Sequence, residues 1–355
     1  MKDGYGLFSP ACFFGCQLQL PLYRTGCLIR AHVWRTEQTM TGRVVLAALL
    51  LPILFIASLA VTPESDAAPA QTASTFTLPA NGIINKPGTY TGTRTCPTSN
   101  RWAACVQITA DNVTLTDVTI NGGGVGVYFH ARQNVTLRNV RFSGYSGGPI
   151  WMTGAVRNIL IEGNSWMNTA NVVGGFIAGR GSEGANPCPT VGRYVTIRNN
   201  VGDQGSRGWF GIELKCFEDV TIEGNSLKGG EVLISLPDSN RVTVRSNTLD
   251  LRGRAYWGIE VAKAHDVKVL GNTFIGDEPN PYDAVAPFEQ AISLNSGSVR
   301  TVATGNRANN LHLFFAGPNY STVTDNCLQN VKHVHWYGNP STSTIARNTA
   351  TDGPC

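Results

Sequence analysis

One short phrase recurs along most of the chain: aliphatic, polar, aliphatic, two spacers, then asparagine. It reads Tyr194-Val-Thr-Ile-Arg-Asn-Asn200, Asp219-Val-Thr-Ile-Glu-Gly-Asn225, Arg241-Val-Thr-Val-Arg-Ser-Asn247 and Asp266-Val-Lys-Val-Leu-Gly-Asn272. Fainter copies end at Asn164, Asn306, Asn326 and Asn348. Two earlier copies, starting at Val113 and Val135, carry Val118 and Val140 in the asparagine position. Most copies recur every 20–25 residues, but Asn164 to Asn200 takes 36 and Asn272 to Asn306 takes 34.

Each aliphatic–polar–aliphatic triplet alternates as a strand does, yet it is too short to be stable alone. Stacked on identical triplets about 4.8 Å apart, it buries its aliphatic rows and pairs its backbone. The pattern therefore predicts a solenoid with one triplet per coil. The asparagine falls where the coil must turn, and asparagine tolerates the left-handed backbone of a tight turn. Stacked side-chain amides can also hydrogen-bond from coil to coil. A leucine-rich repeat has a similar period but a leucine-dense signature that is missing here, and a propeller blade needs about 40 residues.

Residues 107–348 resemble the right-handed parallel β-helix repeat proteins of the pectate-lyase-like superfamily. The stretch Ile108-Thr-Ala-Asp-Asn-Val-Thr-Leu115, followed by Gly122-Gly-Gly-Val-Gly126, is similar to the first coils of many such domains. The resemblance implies an all-β chain: a single-stranded right-handed parallel β-helix of about ten coils. It implies little about chemistry, since one fold hosts many functions. The chain lacks the Asn-Thr-Asp, Asp-Asp, Gly-His-Gly and Arg-Ile-Lys signatures of polygalacturonases and the Asp-Pro-His-Asp motif of mannuronan epimerases. The arginine-proline signature of common pectate lyases is missing too.

The N-terminal part reads differently. Residues Val44 to Val61 are unbrokenly apolar, Arg43 precedes them, and small residues from Ser65 to Ala70 follow. That is the form of a secretory signal peptide, with cleavage expected between Ala67 and Ala70. Met40 suits a true start, so residues 1–39 read as a mis-assigned upstream extension and 40–70 as the signal. A signal anchor with a cytoplasmic tail is the competing reading, and only that reading places the protein on a membrane. Residues 71–110 read as an N-terminal cap and 111–355 as the β-helix with a disulfide-capped C-terminus.

Beyond the extension there are six cysteines, and their proximity favours Cys96–Cys105, Cys188–Cys216 and Cys327–Cys355. An even count in an exported chain suits disulfides. No Cys-x-x-Cys pattern supports the alternative of a metal site. With 28 basic and 24 acidic residues, the net charge of +4 argues against nucleic acid as partner. A secreted, monomeric protein is expected.

Candidate chemistry follows from the two stretched coils, because long loops on a regular scaffold carry function. Their insertions lie near Gly181–Arg193 and Asp277–Phe288. A second strand can be aligned eight residues before each triplet, with Val127, Trp151, Ile212, Ile234 and Ile259 pointing inward. The residues after these anchors then face outward and include Met152, Glu213 and Glu260. Two further on come His130, Gly154, Arg180 and Lys215; three before lie Trp209, Glu231, Tyr256 and Glu289. The near-repeat of Trp209-Phe-Gly-Ile-Glu213 and Tyr256-Trp257-Gly-Ile-Glu260 supplies most of this face.

Glu213 and Glu260 lie two coils apart, roughly 9–10 Å along the backbone. That approaches the spacing of roughly 6.5–9.5 Å between the acid and base of an inverting glycosidase. Lys215 and Arg180 would serve a lyase instead, as base and as holder of a uronate carboxylate. His130 could take either role. Trp209, Tyr256, Trp257, His130 and Glu231 are the candidate substrate contacts. The expected function is action on an extended polysaccharide, by hydrolysis or lysis; the alternative is a β-helix that only binds a polysaccharide or cell surface. No cofactor is required, although Asp277, Glu278 and Asp283 could bind calcium. His333 and His335 alternate on a strand with Trp336 beside them, but a metal site would need a third ligand. The same residues also admit plainer roles, as a solvated face, a surface ion pair or packing under loops.

Overall fold

The computed structural model describes residues 74–97, 100–167, 177–181, 188–204, 209–253, 255–277, 289–294, 297–317, 320–336 and 342–353. The apolar N-terminal run, Glu278, Asp283, Asn295 and Cys355 lie outside them, as do the side chains of His335 and Trp336.

Among the described residues there is no α-helix, and every paired strand runs parallel to its neighbour. The strands wind into a right-handed parallel β-solenoid of about nine turns. The ten sequence phrases bound those turns. They build one sheet of 21 short strands, here the ladder sheet, and the second strand column builds another of 11, here the site sheet. Among the described residues no helix is long and apolar enough to cross a membrane.

The triplets stack in register as read from the sequence. Val135, Ile159, Val195, Val220 and Val242 are successive partners. All five are almost completely buried. Each is worth roughly 1.5–3 kcal/mol of removed apolar surface, but only because the next coil covers it. The segment read as a cap joins the stack: Gly88–Cys96 pairs with Val113–Gly122, and Ile83–Ile84 with Gln107–Ile108. The Cys96–Cys105 and Cys188–Cys216 disulfides form, with Cα–Cα distances of 5.6 and 5.8 Å. Cys327 is also disulfide-bonded.

The asparagine ladder is the polar spine. Asn200 donates through Nδ2 to Oδ1 of Asn225 (2.8 Å) and to the carbonyl of Ile161 in the preceding coil (3.0 Å). Its backbone N–H donates to the same Asn225 oxygen at 3.0 Å. The pattern repeats through Asn225, Asn247, Asn272, Asn306, Asn326 and Asn348. Its first oxygen, on Asn164, satisfies the N–H of Val140. One expectation is corrected. The ladder asparagines are not the left-handed residues of the turn; their predecessors are, among them Gly163, Asn199, Gly224, Ser246 and Gly271. Taking the turn strain one residue earlier lets the asparagine point inward, where it is 0–1% exposed from Asn164 to Asn326. A second left-handed position precedes each triplet, at Asn134, Asn158, Tyr194, Asp219 and Arg241.

Charged residues line the solvent side of the ladder sheet in opposite-sign stacks. Glu162 sits between Arg138 and Arg198 at 2.9 and 2.6 Å. Burial pushes its carboxyl up, but the two guanidinium hydrogen bonds outweigh that and hold it below the usual carboxylate range.

Two stability measurements follow. Asn225→Ala strands the buried backbone N–H of Asn200 and the carbonyl of Ile197. A loss of about 2–4 kcal/mol is expected in denaturant unfolding, whereas Asn134→Gly, which gives up two exposed amide hydrogen bonds but keeps the left-handed backbone open, should cost under about 1 kcal/mol. A carboxyl held low in the folded state adds stability above its unfolded pKa, lost as pH falls through the folded pKa. Glu162→Gln should therefore lower stability at neutral pH by up to about 1 kcal/mol and flatten the acid limb of a stability–pH curve.

Candidate functional site

The outward row of the site sheet is a single register column: Tyr128, Trp151, Ala178, Glu213, Ser235, Glu260 and Ser293. Beside it run His130, Thr153, Arg180 and Lys215. This corrects one coil of the sequence alignment. Ile150, not Trp151, is the inward anchor; Met152 is buried, and Thr153 rather than Gly154 is the row partner of His130. The turn from Thr153 to Ile159 is one residue longer than the turn from His130 to Val135, so counting back eight residues slipped every side chain to the opposite face.

Trp151 thereby faces out and becomes part of a pocket of about 150 Å³ with Trp102, Trp209, Arg180 and Glu213. Trp102 packs against Trp151 with ring centroids 4.9 Å apart and the rings tilted by 49°, and Tyr128 meets Trp151 edge-on at 6.5 Å. The guanidinium of Arg101 lies 4.7 Å over the Trp102 ring. Arg180 Nη2 approaches Glu213 Oε2 at 3.5 Å, with 13% of the Glu213 side chain exposed. Among the described residues, Arg180 Nε and Trp151 Nε1 are buried donors with no acceptor. The pocket thus offers flat apolar walls, a carboxylate and spare donors, the lining of a small-molecule or sugar site.

Two glycines put Trp102 there. The turn at residues 100–103 is closed by Ala103 N–H donating to the Asn100 carbonyl (3.1 Å). It rests on Gly124 and Gly147, where a Cβ would lie 2.1 Å from the Asn100 oxygen and 2.5 Å from the Arg101 oxygen. Sequence reasoning missed Trp102, which lay in the presumed cap, and Trp151, which was counted inward. The Gly122-Gly-Gly and Gly147-Gly148 clusters were the available signal: they mark close backbone approach.

Of the predicted residues, Arg180, Glu213 and Trp209 share the pocket; Lys215, Glu231, Tyr256, Trp257, Glu260 and His130 do not line it. Glu260 lies two strands on and accepts a hydrogen bond from Ser235 at 2.8 Å. Trp257 and Tyr256 are half-buried and Glu231 is exposed. Glu289, expected outward, is 1% exposed. Its Oε2 accepts from the backbone of Asp277, so it folds under the start of the insertion. His130 belongs to a second pocket with Tyr128 and Thr153.

Cys188, Cys216 and Asp238 bring potential metal ligands within 4.8 Å of one another. Both sulfurs are bound in the disulfide, so neither is a thiolate that could ligate. Asp277 accepts from the backbone of Gly253. His333 packs against His312 at 5.2 Å.

The family described as right handed beta helix region matches residues 104–350, and the chain belongs to it. A search of curated proteins finds no match. Among solved structures, the Dettilon tailspike protein is 16% identical with a TM-score of 0.41, over 78% of this chain and 61% of that one. The A-module of a mannuronan C-5 epimerase from Azotobacter vinelandii is 16% identical with a TM-score of 0.38, over 82% and 93%. A surface adhesin of Streptococcus pneumoniae is 12% identical with a TM-score of 0.44, over 75% and 79%. The chain spans under two thirds of the tailspike's length.

The glycine seat has a spectroscopic consequence. The close, tilted Trp102–Trp151 pair should give an exciton couplet in circular dichroism that Trp102→Ala removes. Gly147→Ala must lift the turn and should weaken the couplet too; an unchanged couplet in Gly147→Ala would refute the seat.

Proposed function

We propose that the protein is a carbohydrate-active β-helix that seats an extended glycan on the site sheet and cleaves it hydrolytically beside Glu213. The observation carrying this is the Trp102–Trp151–Trp209 pocket closing over the Arg180–Glu213 pair. Aromatic faces cover the apolar faces of a sugar, while the carboxylate and spare donors meet its hydroxyls. Arg180 lies 3.5 Å from Glu213 and can orient its carboxylate toward a water, which suits Glu213 to the role of general base. Glu260 stands across Ser235 in the same column, about 9.6 Å away along the backbone. That position suits a general acid in an inverting hydrolysis, with the glycosidic bond lying over Ser235. The disulfides fit an oxidising, extracellular setting.

A binding-only reading has one observation in its favour: Glu260 does not line the aromatic pocket.

Product chemistry on a polysaccharide panel decides. New reducing ends without ultraviolet-absorbing unsaturated ends are expected, with activity falling by at least about a thousandfold in both Glu213→Gln and Glu260→Gln. Both variants should melt at the wild-type temperature. Unsaturated ends would instead assign a lyase built on Lys215 and Arg180, and binding without products would leave a recognition module.

A further inference from the structure

We propose that the pocket beside His130 is a second sugar subsite, filled by the same glycan as it runs along the strands from the Glu213 pocket. This rests on the glycan reading above and adds where the chain goes and what gives it length selectivity. The strands Val125–His130 and Gly148–Thr153 run through both pockets. Val125 and Trp151 line the first, while Tyr128, His130 and Thr153 line the second. The two pockets therefore lie at opposite ends of the same strands. From Val125 to His130 is five residues, about 16 Å along the strand, so only a longer oligosaccharide can fill both.

The second pocket, of about 560 Å³, is organised by one hydroxyl. Thr153 is 3% exposed. Its Oγ1 lies 2.8 Å from Nδ1 of His130 and 3.2 Å from the Tyr128 hydroxyl. Thr153 thus fixes both side chains and leaves Nε2 as the imidazole's remaining hydrogen-bonding atom. Gly154, at φ +73°, completes the seat: a Cβ there would lie 2.9 Å from Cε1 of His130. The facing wall is Pro189 and Thr190, held by the Cys188–Cys216 bridge and by Thr190 Oγ1 donating to the Gly181 carbonyl. A flat phenol, an imidazole edge and no fixed ion pair within the lining suit a hydroxyl-rich pyranose unit. The disulfide, on this account, sets the height of the subsite's wall.

The test is calorimetric titration with oligosaccharides of increasing length from cellulose, xylan, alginate and polygalacturonate. Wild type should gain about tenfold in affinity once the oligomer is long enough to span both pockets, the worth of one or two well-made hydrogen bonds. His130→Ala and Thr153→Val should lose that gain and still bind the short oligomers as wild type does. The exposed position of His130 keeps its variant folded, which a thermal melt checks. If the long oligomers bind His130→Ala as tightly as wild type, or length brings wild type no gain, the second subsite is overturned while the glycan reading stands. If no oligosaccharide binds at all, the glycan reading itself fails and takes the subsite with it.

Discussion

The structure depends on one constraint: each coil must present its polar backbone and its aliphatic rows to the next coil at a fixed strand spacing. No coil can bury its own triplet. Val220 is covered because Val195 and Val242 sit in register on either side of it. The asparagine ladder makes that register hard to slip. Each amide bonds to the coil before and the coil after, so a shifted coil would break hydrogen bonds on both sides inside a dry core. Leaving such groups unpaired costs more than any single packing mismatch.

The same constraint explains how the site can be irregular. Register is enforced on the ladder sheet, where the amides stack, and it passes through the coil to the site sheet. The chain between the sheets can then lengthen without disturbing the stack. The extra residue between Thr153 and Ile159 and the loop closed by Cys188–Cys216 are both absorbed this way. Outward positions on the site sheet carry no packing duty and are free to hold Trp151, Arg180 and Glu213.

That division also decides what could be read from the sequence. The ladder side was legible almost residue by residue, because burial imposes period and identity together. The face bearing Glu213, Arg180 and Trp209 was legible too, since those residues sit at fixed offsets from a strong phrase. Trp151 was misplaced because its offset runs through a turn whose length the phrase does not fix. Trp102 was invisible for another reason. It reaches the pocket through a tertiary contact between the turn at residues 100–103 and two glycines, and the only local trace of that contact is the glycines themselves. Glu289 was misplaced because alternation predicts a direction, whereas its carboxylate is drawn back to the Asp277 backbone.

The two pockets follow from this asymmetry between a strict sheet and a permissive one. A solenoid offers a long, shallow face, and shallow faces hold ligands weakly unless something stands above them. Here the walls come from outside the repeat: the N-terminal turn raises Trp102 at one end of the strands, and the disulfide-pinned segment raises Pro189 and Thr190 at the other. Both walls are seated by glycine, at Gly124 and Gly147 on one side and Gly181 on the other, where no side chain keeps the facing backbone away. The rungs between supply only what a strand can supply, one outward side chain about every 4.8 Å along the stack. A partner with its own regular repeat of rings and hydroxyls matches such a row better than a compact molecule does. The extended-glycan reading thus draws on the periodicity of the scaffold as much as on the chemistry of any one residue.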